Sequence, residues 1–279
     1  MSAKHDRRTR SELVVAADPR NTEQEADTSM AGGERILVAA ALAKIIQPIL
    51  ASEFRGAELE FAEDKIAVER VVAEKMRFDV VVSDLVWNDY TLEFSFDGLD
   101  ILDILRRAGK QTSVIFAAQG HGIERDHLDE AVEQREVAGV VRKAAGPALL
   151  CSAIRIAIRG DQLPIAQFPL GDSPAGIPRI HTYFSKGKGT TAARMAGAIA
   201  SGRAVNHETL ATEAAVGHGT ANRLVDYMGP LIAGRGEHVS SLKMTPEVVY
   251  RWCGEHSRYI LSWCRRKEPP GFAVRATQR

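Results

Sequence analysis

Apolar and polar positions follow two rhythms along residues 35–160, and the rhythms take turns. Short segments read as strands: Ile36-Leu37-Val38-Ala39-Ala40, Glu58 to Phe61, Asp79 to Ser83, Thr112 to Ala117 and Gly139-Val140-Val141. Between them lie stretches with apolar residues at helical spacing. Leu42 to Phe54 puts Ile45, Ile46, Ile49 and Leu50 on one face, with Pro48 as a flaw in the helix. Lys65 to Met76 carries Ile66, Val68, Val71 and Val72, and Gly98 to Arg107 carries Leu99, Leu102 and Leu105. Ile123 to Gln134 is charged and weakly periodic, and Pro147 opens a fifth helix lined by Leu149, Leu150, Ile154 and Ile158. Single helices between strands predict parallel pairing with right-handed crossovers. The expected fold class is therefore an α/β doubly wound five-stranded parallel sheet. In such a sheet the chemistry gathers at the carboxyl ends of the strands. Asp84 closes the run Val80-Val81-Val82-Ser83-Asp84 and is placed there.

The rhythm changes after residue 160. Residues 160–178 hold Pro164, Pro169, Pro174 and Pro178 among Gly160, Gly171 and Gly176, which predicts a semi-rigid linker. Beyond it the chain reads as helix throughout. Thr190 to Ser201 is Ala-rich and Gly202 ends it; Asn206 caps the next helix, with Thr209 three residues on. Leu210, Ala211, Ala214 and Ala215 form a small apolar face, and Val216-Gly217-His218-Gly219 reads as a tight turn. A further helix runs from Thr220 to Ile232 with Leu224, Val225 and Met228 inward. A long final helix starts at Pro246 and ends in Arg265-Arg266-Lys267. Trp252, Tyr259 and Trp263 share one face of it, as core packing or as a dimer seam. Residues 1–33 lack apolar periodicity and read as disordered, with Met30 as an alternative start. The expected organisation is an extension over 1–33, a sheet domain over 34–160, a linker over 161–178, a helical domain over 179–268 and a flexible tail over 269–279.

The formal net charge is zero, but it is unevenly spread: −2 over residues 1–34, −4 over 35–160 and +6 over 161–279. That asymmetry points to a polyanion as partner for the last segment alone. No apolar stretch approaches the roughly 20 residues of a membrane span, and the polar, basic start lacks the apolar core of a secretory signal. Cys151, Cys253 and Cys264 have no metal-ligand spacing and read as thiols of a reducing cytoplasm. The histidines show none either, and His207, His218, His238 and His256 read as surface residues. A Gly-rich phosphate loop, a Ser-His-Asp order and paired catalytic carboxylates are all missing, so neither an enzyme nor a cofactor is expected.

Residues 35–160 resemble the receiver domain of response regulators, the CheY-like module. Asp84 falls on the family's phosphoacceptor, and Lys143, in Val140-Val141-Arg142-Lys143, falls on the lysine that ends the fifth strand. The departures are specific. The metal-binding acidic pair falls on Ala40 and Ala41, the switch hydroxyl on Ala117 and the usual proline on Ala144; the loop from Asp84 to Asp97-Gly98 is also long for the family. Phosphoryl transfer to a carboxylate needs a divalent cation, and Mg²⁺ usually takes one or two carboxylates. With Ala40 and Ala41 in place, Asp84 is the one evident ligand, and no Mg²⁺ is expected. Asp84 then reads either as a phosphoacceptor or as a carboxylate paired with Lys143. Asp89, Glu93 and Asp97 read as substitute ligands or as solvated charges.

The run from Asn206 to Val225 resembles a helix-turn-helix and aligns without gaps to the central part of the LuxR-type DNA-binding domain. The likeness covers Thr191 to Arg235, but the chain continues past the point where that family ends in one short helix. Small Ala211 sits at the helix crossing, Gly217 gives the turn, and Val216 and Leu224 plug the joint. The resemblance implies a recognition helix exposing His218, Thr220, Asn222, Arg223 and Asp226, with Arg223 and Asn222 toward base edges and His218 and Thr220 toward phosphate or base. Lys186, Lys188, Arg203, Arg235 and Lys243 are the expected backbone contacts, and Arg265-Arg266-Lys267 either touch phosphate or cap a helix. The expected function is a DNA-binding transcriptional regulator of the response-regulator type. Its degenerate receiver is expected to be controlled by dimerisation or by ligand or partner binding. The expected partners are double-stranded DNA, a second copy of the chain, and a sensor kinase or a small ligand, with no membrane. The alternative is a partner-sequestering interaction module built on a pseudo-receiver. A receiver-like phosphatase is a third reading, and the lost acidic pair counts against it.

Overall fold

The computed structural model describes residues 33–89, 92–164 and 176–267. The expected extension, the middle of the linker and the tail lie outside the described residues. The first half forms one sheet from β1 (Arg35–Ala39), β2 (Glu58–Ala62), β3 (Val80–Asp84), β4 (Ser113–Ala118) and β5 (Val137–Arg142). All pairs are parallel and the order is β2-β1-β3-β4-β5, the doubly wound order whose switch point lies between β1 and β3. The register sets Ala39 beside Ser83, Asp84 beside Ala117, and Ala118 beside Arg142. The strand tips that carry the predicted chemistry therefore lie side by side.

The helices α1 (Gln47–Glu53), α2 (Lys65–Glu74), α3 (Gly98–Arg107) and α4 (Arg125–Ala131) connect the strands, and α5 (Pro147–Ile158) follows the last of them. Pro48 is not a flaw inside a long helix. A 3-10 turn over Ala43–Ile46 comes first, and Pro48 sits in the first turn of α1, where its missing N–H costs nothing. The long loop after β3 is part of the core: Leu85, Val86, Trp87 and Phe96 are buried, and the Trp87 and Phe96 rings meet edge-to-face at 5.1 Å. Asp97 then caps α3 in a reciprocal box with Asp100. Gly98 stands where a Cβ would overlap the Asp84 carbonyl oxygen and lie 2.8 Å from Phe116 Cε1. Gly98→Ala should thus destabilise by about 2 kcal/mol, read as a lowered urea midpoint at unchanged slope. A wild-type midpoint would show that the loop gives way freely.

The second half is helical: α6 (Ile180–Phe184), α7 (Gly189–Ala200), α8 (His207–Glu213), α9 (His218–Ala221), α10 (Leu224–Gly234), α11 (Pro246–Glu255) and α12 (Ser257–Lys267). Ala-rich α7 is the hub. Its buried Ala192, Ala193, Ala196 and Ala198 let α6, α8, α10, α11 and α12 close around it. Two expected helices are broken. The final one splits at His256, and the one after the turn splits at Asn222-Arg223 into α9 and α10. Trp252, Tyr259 and Trp263 are 2%, 1% and 6% exposed, so they are core residues of this chain.

The described residues from Glu34 onward form one compact unit. One apolar cluster runs from the α2–α4 side of the sheet through the α7 hub, and a second lies on the α1–α5 side. No described helix is long and apolar enough to cross a membrane.

Candidate functional site

At the strand tips, Asp84 is nearly buried and Lys143 Nζ lies 2.7 Å from its Oδ1. Burial pushes the Asp84 carboxyl above its ordinary range, and the Lys143 charge and hydrogen bond pull the other way. Ala40, Ala41 and Ala117 line the same cavity as Asp84 and bring only methyl groups to its wall. Mg²⁺ demands an octahedral set of oxygens. One carboxylate already held by an ammonium does not fit it. Two of the loop acids are engaged elsewhere: Glu93 pairs with Arg258 at 2.8 Å, and Asp97 caps α3 and pairs with Arg265 at 3.1 Å. Among the described residues no group of three His, Cys, Asp or Glu side chains is placed to hold a metal.

The helix-turn-helix region is built locally as its sequence dictates. Asn206 Oδ1 accepts from the Thr209 N–H at 2.9 Å and Thr209 Oγ1 accepts from the Asn206 N–H at 3.2 Å, so α8 begins at a capping box. Ala211 and Leu224 are buried at the joint. The sharp turn is not made by Gly217, whose φ is −67°. It is made by Ala215 at φ 48°, the one described non-glycine in the left-handed region, whose carbonyl accepts from the Arg194 guanidinium.

His218, Asn222 and Arg223 are exposed and Thr220 is half-buried. All four fall on or just after the single turn of α9, rather than along a long recognition helix. Arg223 Nε donates to Asp226 Oδ2 at 3.0 Å across an exposed surface. Lys186, Lys188 and Lys243 are exposed, and Lys186 and Lys188 stand just before the N-terminus of α7. Arg203 is half-buried, donating to Ser201 Oγ at 2.9 Å and lying 3.6 Å from Glu213.

Arg235 is a correction to the set of backbone contacts. Its side chain is 5% exposed, with Asp126 and Glu237 each 2.9 Å away, so it has no surface to offer a phosphate. Arg265 and Arg266 also turn inward. Arg265 holds Asp97 and Asp100, and Arg266 forks onto Glu130 with both bonds at 2.7 Å. Sequence reasoning missed this whole acid–base seam between the α3–α4 face and the helical region. Tyr259 Oη donates to Glu130 Oε2 at 2.7 Å, His181 Nε2 lies 2.8 Å from Glu133 Oε2, and His256 Nδ1 lies 2.7 Å from Asp126 Oδ2. Burial alone would raise the Asp126 and Glu130 carboxyls. The His256 and Arg235 partners of Asp126, and the Arg266 and Tyr259 partners of Glu130, outweigh it and lower them. A local signal existed: Asp126 and Glu130 stand four apart, on one face of α4.

No protein-family model matches the chain, and no curated protein matches it. Solved structures do. A response-regulator receiver-domain protein from Clostridium thermocellum is 27% identical over 46% of this chain and 95% of its own, with a TM-score of 0.37. An adenylate cyclase from Rhodopirellula baltica is 17% identical over 46% and 88%, at 0.38. RcsB from Salmonella enterica serovar Typhimurium, bound to the promoter rprA, is 13% identical over 80% and 98%, at 0.41. The chain is thus similar, at low identity, to a receiver domain and, over most of its length, to RcsB.

Proposed function

We propose that this chain is a double-stranded-DNA-binding regulator whose sheet domain works without Mg²⁺-dependent phosphoryl transfer and is governed by what binds it. The observation that carries the first part is the capped α8, the turn at Ala215 and the exposed start of the next helical element. Together they present His218, Asn222 and Arg223 outward, with Lys186, Lys188 and Lys243 on the same helical region. Asn and Arg side chains read base edges bidentately, and flanking lysines gain from counterion release. The seam to the sheet domain engages α6, the end of α10, α11 and α12, and leaves these side chains exposed. The second part rests on Ala40, Ala41 and Ala117, and on the ion pair that already occupies Asp84.

Selection from random duplex DNA tests it, using the full chain without phosphodonor. The expected result is an enriched site, palindromic if a dimer binds. Arg223→Ala should weaken binding to that site about tenfold and relax one base position. Lys186→Ala should lower the slope of log affinity against log salt by about one and leave base preference intact. Asp84→Asn should leave the affinity unchanged. The four-residue α9 and the Arg223–Asp226 pair favour the second reading, a protein-docking module, and an absence of enrichment would decide for it.

A further inference from the structure

The carboxyl ends of β1, β3, β4 and β5 frame a cavity of 460 Å³. It lies at the switch point of the sheet, where the two neighbouring crossovers diverge and open α/β folds take their ligands. Its size falls within the roughly 300–1,000 Å³ of small-molecule sites. Most of its wall is apolar: Ala40, Ala41, Leu42, Ile45, Ile49 and Leu150 among others. Three of these side chains are open to water at a cost, with Leu42 69% exposed, Ile45 72% and Ile49 41%. Contiguous exposed apolar side chains of this kind mark a surface with an occupant.

The polar groups of the wall say which occupant. Its ionisable residues are two cations, Arg142 and Lys143, and one acid, Asp84. The Lys143 ammonium has three N–H donors and Asp84 Oδ1 takes one of them, at 2.7 Å. Glu124, an acid whose charge acts on Asp84, is outside the wall. It is satisfied by the backbone N–H groups of Gln119, Gly120 and His121 at 3.0, 2.7 and 3.0 Å. Asn88 and Gln119 add neutral hydrogen-bonding groups to the wall.

We propose that this cavity binds a small amphipathic organic anion, its carboxylate or sulfonate head on Lys143 and its apolar body against the Ala41–Ile45–Ile49 wall. Alanine at positions 40 and 41 keeps that wall apolar: two carboxylates there would repel an anionic head and wet the lining. The proposal deepens the reading of a sheet domain governed by what binds it, and rests on it. Binding is read on the protein alone, so it fails separately from DNA recognition.

The test is calorimetric titration of the full chain with octanoate, octanol and octylamine, each below its aggregation concentration. Octanoate should bind one per chain, about tenfold tighter than either analogue, the margin expected of one charge-assisted head contact. Lys143→Met should bring octanoate down to the level of octanol. Ala41→Trp should fill the cavity and abolish binding. Ile45→Gln changes an exposed side chain, does not threaten folding, and should weaken all three ligands together. Equal affinities for the three ligands, or octanoate binding untouched by Lys143→Met and Ile45→Gln, would overturn the proposal. So would a preference for octylamine, which would make Asp84 the head partner. A dimer that Ile45→Gln splits, with no octanoate bound, would assign the wall to a second copy of this chain and overturn it as well.

Discussion

Arg266→Met should lower the unfolding free energy of the chain by about 3–5 kcal/mol, the usual cost of removing one member of a buried ion pair. Arg266 and Glu130 are each 4% exposed, and the guanidinium forks onto both carboxylate oxygens. Methionine fills much of the volume but leaves Glu130 buried with the Tyr259 hydroxyl as its remaining side-chain hydrogen-bond donor among the described residues. Glu130 must then protonate or drag water into the seam. The double variant Glu130→Gln/Arg266→Met should recover more than half of the loss. A neutral amide tolerates burial, and its carbonyl oxygen still accepts from Tyr259. Urea denaturation of the three proteins decides it. Additive losses in the double variant would mean that the pair is not the unit holding the α4 face to α12.

That pair was illegible in the sequence for a reason of range. Glu130 and Arg266 stand 136 positions apart, Asp126 and Arg235 109, and Asp100 and Arg265 165. A charged stretch such as Ile123 to Gln134 reads as a solvated helix unless its partner is known. Most of the strands are legible because short apolar runs dictate burial locally, and β2 because its apolar residues alternate with charged ones. Asp84 and Lys143 were paired on paper because both end strands of one parallel sheet, and the register sets those ends together. The Asn206–Thr209 cap was equally local. The turn after α8 lies about two residues before its expected place, since His218 and Gly219 belong to α9, and Ala215 rather than Gly217 carries the positive φ. Pro48 misled in the opposite direction, since a proline one residue inside a helix start is favourable and mid-helix is not. The basic end of the chain reads in sequence as a phosphate contact or as a helix cap. A cluster of arginines satisfies carboxylates as readily as phosphates, and only the fold says which it meets.

The stability of the chain should fall as pH rises from about 6.5 to beyond 9, and His256→Gln should remove most of that fall. His256 presents Nδ1 to Asp126 Oδ2 at 2.7 Å and Nε2 to Glu237 Oε2 at 3.3 Å, so both ring nitrogens face carboxylates and both must donate. Its ring is tilted over that of Trp252, with centroids 4.3 Å apart. Burial opposes the charged form, but the Asp126 and Glu237 hydrogen bonds prevail and push the imidazolium up to about 9 from 6.5. A folded-state value above the unfolded one means that the stabilisation is complete below about 6.5 and gone above about 9, where neutral imidazole leaves one carboxylate without its donor. A shift of that size corresponds to about 3 kcal/mol. The carboxylate side runs the other way. Burial raises Glu237, but His256, Arg235 and Trp252 together bring it down to about 2 from 4.5, so its stabilisation is present above about 4.5 and lost as pH falls toward 2. Together they predict a plateau between about 4.5 and 6.5. Urea midpoints at pH 6, 7.5 and 9 read the alkaline slope, and equal slopes in the wild type and His256→Gln would sink the assignment. Asp126 is the shared element: it takes Arg235 on one oxygen and His256 on the other. Loss of the imidazolium proton therefore weakens the same seam that Arg266→Met breaks, from the opposite end of α4.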